Sequence, residues 1–137
     1  MSTEERGTDD PRRGDGLLAA AISNAIVREL ARATGRGPTK AKTTLGTNAV
    51  FVVLQDTLTR GEQTLADAGE REAVLDLRRR WQKVMRTEMS RRIEELTKRK
   101  VVGFMSDNHI DPDLAVEVFV LEPPADSARG QQPHDEG

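Results

Sequence analysis

The sequence predicts an α+β fold of two layers, in which a four-stranded antiparallel sheet carries helices on one face. Two observations predict it. Apolar residues recur every three or four positions in two long segments, as they do in amphipathic helices, and each segment is followed by two short apolar runs separated by turn residues. The order helix, strand, strand therefore occurs twice, with a short extra helix between, which suggests an αββ-ααββ pseudo-repeat in one domain.

The first predicted helix runs over residues 16–34. Gly35 indicates its end, because glycine accepts the left-handed backbone common there, and Pro38 does not continue a helix. Gly35, Gly37 and Pro38 are therefore interpreted as a structural turn. The apolar stripe of this helix comprises Leu18, Ile22, Ile26, Leu30 and Ala33.

Two strands follow this turn. Residues 39–45 alternate between polar and less polar side chains, which predicts a strand with one solvated face. Residues 46–48 have the composition of a tight turn. The run AVFVVL at 49–54 is apolar at every position, which favours a central strand covered on both faces.

The middle of the chain predicts two helices. Thr59 and Glu62 have the spacing of a capping box at the start of a short helix that ends at Ala68. A second apolar stripe over residues 70–98 predicts a helix of about 43 Å, long enough to meet a second copy and form a homodimer. The stripe consists of Val74, Leu77, Trp81, Val84 or Met85, Met89, Ile93 and Leu96, which places the Trp81 ring in the core.

Two further strands are predicted at 100–106 and 114–122, joined by a loop at 107–113. The loop carries acidic or imidazole groups at alternate positions, but it lacks the central glycine and final glutamate of a calcium loop. We therefore interpret these side chains as turn-forming and expect no metal site. They are Asp107, His109, Asp111 and Asp113.

Composition excludes several classes of protein. There is no cysteine, so disulfides, thiolate metal sites and cysteine nucleophiles are excluded. No run of about 20 apolar residues is present, and we expect a cytoplasmic protein that can lie peripherally at the inner membrane face. Residues 1–15 and 123–137 are polar and mildly acidic, which predicts disordered tails around a single domain at 16–122.

The GRGPTKAKTT stretch at 35–44 resembles a phosphate-binding loop in composition only. Alignment with the Walker A pattern places Arg36 and Ala41 where both glycines belong, and the stretch follows a helix instead of opening one. A nucleotide-hydrolysing function is therefore not favoured. The few serines and His109 form no catalytic constellation, so we expect a non-enzymatic protein without a cofactor.

Basic residues are the remaining candidates for a binding site. Residues 78–100 contain ten basic residues against three acids, although the whole chain carries a net charge of only −2. Such residues either solvate the surface or form a site for an anion or an acidic partner. The candidates for anion or partner binding are Arg32, Arg36, Lys40, Lys42, Arg79, Lys83 and Arg86.

The combination of three motifs resembles the MpsC-like family of small bacterial proteins. The motifs are the GRGP turn at 35–38, the start of the second helix at 58–65, and the VVGFMSD strand that ends at Asp107; the similarity extends over residues 18–122. The family is named after a Na⁺-translocating, membrane-potential-generating system, and some members are encoded beside a membrane subunit and a large soluble subunit linked to inorganic-carbon uptake. The resemblance implies an accessory or regulatory protein that contacts a membrane subunit of a cation or bicarbonate transport system.

A second hypothesis is nucleic-acid binding without sequence specificity by the basic helix at 78–100. Only 3% of the residues are aromatic and none is tyrosine, so a base-stacking platform of the ribonucleoprotein type is not expected. Salt dependence separates the two hypotheses, since nucleic-acid binding weakens steeply as salt rises.

Overall fold

A computed structural model describes residues 11–124. Of the tails predicted to be disordered, 1–15 and 123–137, residues 1–10 and 125–137 lie outside the described residues. The described chain forms three helices and four strands in the predicted order. They are α1 (Pro11–Thr34), β1 (Lys40–Leu45), β2 (Ala49–Gln55), α2 (Arg60–Asp67), α3 (Arg71–Thr97), β3 (Val101–His109) and β4 (Leu114–Leu121).

The strands form one antiparallel sheet in the order β1-β2-β4-β3. The two hairpins thus meet through their second strands, and β2 and β4 occupy the centre. One face of the sheet packs against α1 and α3, and the core lies between them. The predicted α+β class, antiparallel sheet and single helical layer are confirmed, whereas the pseudo-repeat stays a prediction. Fully buried core side chains include Ile22, Ile26, Val52, Leu54, Ile93 and Phe119.

Two predicted boundaries differ from the structure by more than one residue. Helix α1 begins at Pro11 instead of Gly16, because proline suits the first turn of a helix, where its missing N–H is not needed. Strand β3 continues to His109, so Asp107 and His109 belong to a strand and not to the loop. These residues pair with β4, and the ladder hydrogen bonds outweigh their local turn preference.

Strand β2 is central, as predicted, but only one of its faces is covered. Val50, Val52 and Leu54 point into the core, whereas Phe51 and Val53 are 41% and 44% exposed. The expectation of cover on both faces is wrong for the described chain, because its helices lie on a single side of the sheet. An apolar sheet surface results.

The turn after α1 has the predicted geometry. Gly35 adopts a φ of +78° and its N–H donates to the Ala31 carbonyl at 2.9 Å, which ends the helix. The Thr34 hydroxyl donates to the Leu30 and Arg36 carbonyls across the same turn. The junction is therefore built by backbone geometry.

The capping box of α2 is present. Glu62 N–H donates to the Thr59 hydroxyl at 3.2 Å, and Thr59 N–H donates to Glu62 Oε1 at 2.9 Å.

We expect Thr59→Ala to lower the free energy of unfolding by about 1 kcal/mol, because one N–H at the helix start loses its acceptor. Urea unfolding at pH 7 measures this. Thr64→Ala, on the exposed part of α2, is the control and should change stability by less than about 0.5 kcal/mol; equal losses in both variants would contradict the capping role.

Helix α3 is rotated relative to the predicted stripe. Its buried positions include Arg78 and Gln82, whereas Leu77 and Val84 are exposed and Trp81 is half-buried against the core. The rotation follows from α3 packing against α1, α2 and β3 at once. Two polar side chains thus enter the interior of the domain.

Candidate functional site

An open cleft lies between α3 and the edge strand β3. Its volume is about 800 Å³, within the range of small-molecule and peptide sites. Phe104 and Ser106 of β3 and Gln82 of α3 line its floor, and Val84 stands at the rim. The wall is completed by Asp76 and by four basic residues: Arg79, Arg80, Lys83 and Arg86.

The four basic residues differ in their electrostatic partners. Arg80 Nε lies 3.1 Å from the Asp76 carboxylate, and Arg79 lies 4.0 Å from the same group. Lys83 and Arg86 make no ion pair with any residue of the described chain. The cleft therefore offers two uncompensated positive charges, three positions apart on one helix face.

The floor of the cleft contains polar groups with few or no partners. Gln82 is 8% exposed, and its Nε2 has no hydrogen-bond partner among residues 11–124. The Ser106 hydroxyl lies beside the Glu117 carboxyl group and has no partner other than this group within the same part of the chain. Both groups can donate hydrogen bonds, and buried donors without acceptors are uncommon in folded proteins. Both atoms are enclosed by protein, so they lie beneath the surface of the cleft and out of contact with a ligand in it.

A buried carboxyl group lies beneath this floor. Glu117 of β4 is paired with Ser106 on the neighbouring strand β3, and it is 1% exposed. Burial raises the pKa of Glu117 to about 7, and the neighbouring Ser106 hydroxyl and Arg78 guanidinium oppose this effect only in part. The charge below the cleft therefore depends on pH near neutrality.

Arg78 connects the cleft floor to the start of α2. Its Nη1 donates to Glu62 Oε1 and to the Thr57 carbonyl, both at 3.3 Å, and its Nε donates to Asn108 Oδ1 at 3.2 Å. Arg78 belongs to the basic run 78–100, for which the sequence predicted surface or binding-site positions; for this residue that is wrong, since it is 3% exposed. The sequence contains one signal of this burial. Arg78 lies four residues from Val74 and from Gln82, so the three residues share one face of the helix.

The remaining basic residues of α3 are mostly neutralised. Arg91 bonds to Glu88 and Glu95, and its hydrogen bond lowers the pKa of Glu88. Arg92 Nε lies 3.3 Å from Glu29 of α1 and 3.6 Å from Glu88. The basic character of this helix is therefore concentrated at the cleft instead of continuing along its length.

The other predicted site residues do not join the cleft. Arg32 pairs with Glu29 at 2.5 Å on α1, and Arg36 Nε donates to the Asp56 carbonyl at 3.3 Å. Lys40 and Lys42 are exposed on β1, at the opposite edge of the sheet from β3. The structure thus separates the predicted candidates into three groups, of which only Arg79, Lys83 and Arg86 share a cavity.

Asp113 and His109 of the β3–β4 hairpin make contacts within the domain. Asp113 accepts hydrogen bonds from the Thr57 and Leu58 N–H groups at 3.1 Å, which fixes the segment before α2. His109 Nδ1 lies 2.8 Å from the Pro112 carbonyl. Within residues 11–124, no group of three or more acidic or histidine side chains is placed to hold a metal ion.

Comparison with known proteins gives a family but no individual relative. No curated protein and no solved structure matches the chain. Over the part that the structure describes, none of the helices combines the length and apolarity required to cross a bilayer. The family model described as "Na+-translocating membrane potential-generating system (MpsC)" matches residues 15–123, which includes all seven elements of the fold apart from the first turn of α1. The chain therefore belongs to the MpsC family.

Proposed function

We propose that this protein is a non-enzymatic accessory or regulatory component of a membrane system that transports Na⁺ or bicarbonate. In that system, the α3–β3 cleft binds an acidic segment of a protein partner. Family membership supports the link to the transport system. The observation that carries the binding site is the presence of two uncompensated cations, Lys83 and Arg86, beside the apolar Phe104 and Val84 in one cleft.

The chemistry of the cleft favours a carboxylate-bearing peptide. A carboxylate has two oxygens, so it can accept charge-assisted hydrogen bonds from both the lysine and the arginine on the wall. Phe104 and the exposed Val84 add apolar surface beside these charges. An acidic segment with a neighbouring apolar side chain would satisfy both parts of the cleft.

Nucleic-acid binding is the alternative function, and the ion pairs of α3 disfavour it. A duplex needs a continuous series of unpaired cations along the phosphate backbone, whereas Arg91 and Arg92 are paired with carboxylates. We expect no DNA or RNA binding at about 50 mM salt in a fluorescence-anisotropy titration. Binding that weakens log-linearly with salt would support the alternative and contradict our proposal.

The proposed function is tested by site-specific photo-cross-linking in the native cell. A photoreactive phenylalanine analogue replaces Val84 at the cleft rim in one strain and Leu17 on α1 in the control strain; both positions are highly exposed, at 79% and 69%. We expect an adduct with an integral membrane protein from position 84 and none from position 17. Adducts with soluble proteins alone, or no adduct from position 84, would contradict the proposal.

Charge reversal tests the role of the cleft cations. Lys83→Glu combined with Arg86→Glu should reduce the membrane-protein adduct at least tenfold, because the cleft would repel an acidic segment. The folded state should change by less than about 0.5 kcal/mol, since both residues are exposed. The matched control is Arg60→Glu combined with Lys100→Glu, which makes the same change in net charge at exposed positions outside the cleft. Equal loss in both double variants would show that net charge, and not the cleft, controls binding.

A further inference from the structure

The outer face of the sheet, defined as the side opposite α1 and α3, is a second candidate for an interaction surface. Its central strands expose apolar side chains where a solvated sheet face usually carries polar ones. Phe51 and Val53 are more than 40% exposed, and Met105 on β3 is 56% exposed. Val116 and Val118 on β4 lie between them in the sheet. A contiguous apolar surface of this kind indicates a binding interface.

The charges at the two edges of this face have opposite sign. The strand register places Lys42, Val53, Val116 and Asp107 side by side in one row across the sheet. The adjacent row consists of Thr44, Phe51, Val118 and Met105. The face therefore has a basic edge on β1, an apolar centre, and an acidic group on β3.

The polar tails of the chain do not supply a suitable cover for this face. Residues 1–10 and 125–137 contain Met1, two alanines and Pro133 as their only apolar side chains. A second copy of the chain, in contrast, provides an apolar centre of equal size and the complementary charges. The chemistry of the face thus favours self-association over cover by either tail.

We propose that the outer face is the interface of a homodimer whose twofold axis runs parallel to the strands. Rotation about such an axis places β1 of one copy over β3 of the other, so that Lys42 of each copy faces Asp107 of the other copy. A twofold axis perpendicular to the strands would instead place lysine over lysine. Sheets packed face to face lie about 10 Å apart with their strands within about 30°, which suits rows of valine and phenylalanine.

A hollow on the outer face fits the same arrangement. It has a volume of about 320 Å³ and is lined by Val53, Leu114, Val116 and the Asp107 and His109 side of β3. The methylene groups of Lys42 from the second copy occupy this hollow while its ammonium group reaches Asp107. The sequence interpretation assigned dimerisation to the long helix, which exposes Leu77 and Val84. The outer face exposes Phe51, Val53 and Met105 and adds a defined charge match.

Sedimentation velocity of the full chain at 1–100 µM tests the proposal. This range covers dissociation constants that differ by a factor of about 100. We expect a species of twice the 15.1 kDa chain mass. Val53→Asp on the outer face should produce a monomer, whereas Val84→Asp on α3 should remain dimeric. A monomeric wild type, or dissociation by Val84→Asp but not by Val53→Asp, would overturn the proposal and, in the latter case, place the interface on α3.

A charge swap tests the orientation of the two copies and does not depend on the folding of the Val53 variant. Lys42→Asp and Asp107→Lys should each weaken the dimer at least tenfold, because each places like charges together. The variant with both substitutions should return to within about threefold of the wild type, since the pair is restored with exchanged sign. Additive weakening in that variant would overturn the proposed axis. The inference does not rest on the proposed function, because neither Val53 nor Lys42 lines the α3–β3 cleft.

Discussion

Arg78→Ala is expected to lower the free energy of unfolding by about 3–5 kcal/mol, the range for removing one partner of a buried ion pair. The substitution leaves the Glu62 carboxylate buried without its cation, and it removes the donor to the Thr57 carbonyl and to Asn108 Oδ1. Glu62 Oε1 also accepts from the Thr59 N–H, so the start of α2 loses order together with the ion pair. Urea unfolding at pH 7, followed by circular dichroism, measures the loss.

The control for this prediction is the next residue. Arg79→Ala removes an arginine that is mostly exposed and whose ion pair with Asp76 is long, at 4.0 Å. The free energy of unfolding should therefore change by less than about 0.5 kcal/mol. Arg78→Met combined with Glu62→Gln should recover part of the stability, because no buried charge then remains unpaired. A loss below about 1 kcal/mol for Arg78→Ala would contradict the structural role assigned to this residue.

Glu117→Gln is expected to stabilise the protein above neutral pH by about 3 kcal/mol, because a pKa difference of one between the folded and unfolded states corresponds to about 1.4 kcal/mol. Burial raises the pKa of Glu117 from 4.5 to about 7. Between these two pH values the folded state binds the proton that the unfolded state has lost, so the stability of the wild type falls as pH rises. Below pH 4.5 both states are protonated, so Glu117 causes no loss of stability. Above pH 7 the loss is complete, because the folded state then holds the carboxylate buried in its charged form.

The pH dependence of the stability difference is the decisive measurement. The free energy of unfolding of the wild type and of Glu117→Gln is measured in urea at several pH values from 4.5 to 8.5. The difference between the two proteins should grow from pH 4.5 to about 7 and then become constant. Arg78 on α3, Glu62 on α2 and Ser106 on β3 surround this region and are unchanged in both proteins. Glu122→Gln, at an exposed position just after β4, is the control and should show no such growth. A difference independent of pH would show that Glu117 titrates normally.

Much of the fold could be predicted because its signals are local. The apolar period of α1, the alternation in β1 and the Thr59–Glu62 capping box each depend on residues within one or two turns of chain. Gly35 and Pro38 likewise locate the first turn by backbone geometry alone. These predictions needed no knowledge of which elements touch.

The candidate site was predicted only in part because it depends on contacts between distant residues. Arg79, Lys83 and Arg86 were identified by their charge, yet the same criterion selected Arg32 and Arg36, which the fold places elsewhere. Which cations remain unpaired depends on the positions of carboxylates such as Glu29, and these are fixed by helix packing. Local sequence does not contain that information.

The sequence by itself determined the identity and order of the helices and strands, the turn at Gly35, the cap of α2 and the family of the protein. Only the tertiary structure decided the rotation of α3, the burial of Arg78 and Glu117, and the exposure of Phe51 and Val53. The physical reason is that secondary structure follows from interactions over a few residues, whereas burial is decided by which faces pack together. A charged residue in a helix and an apolar residue in a strand acquire their roles only when the layer opposite them is known.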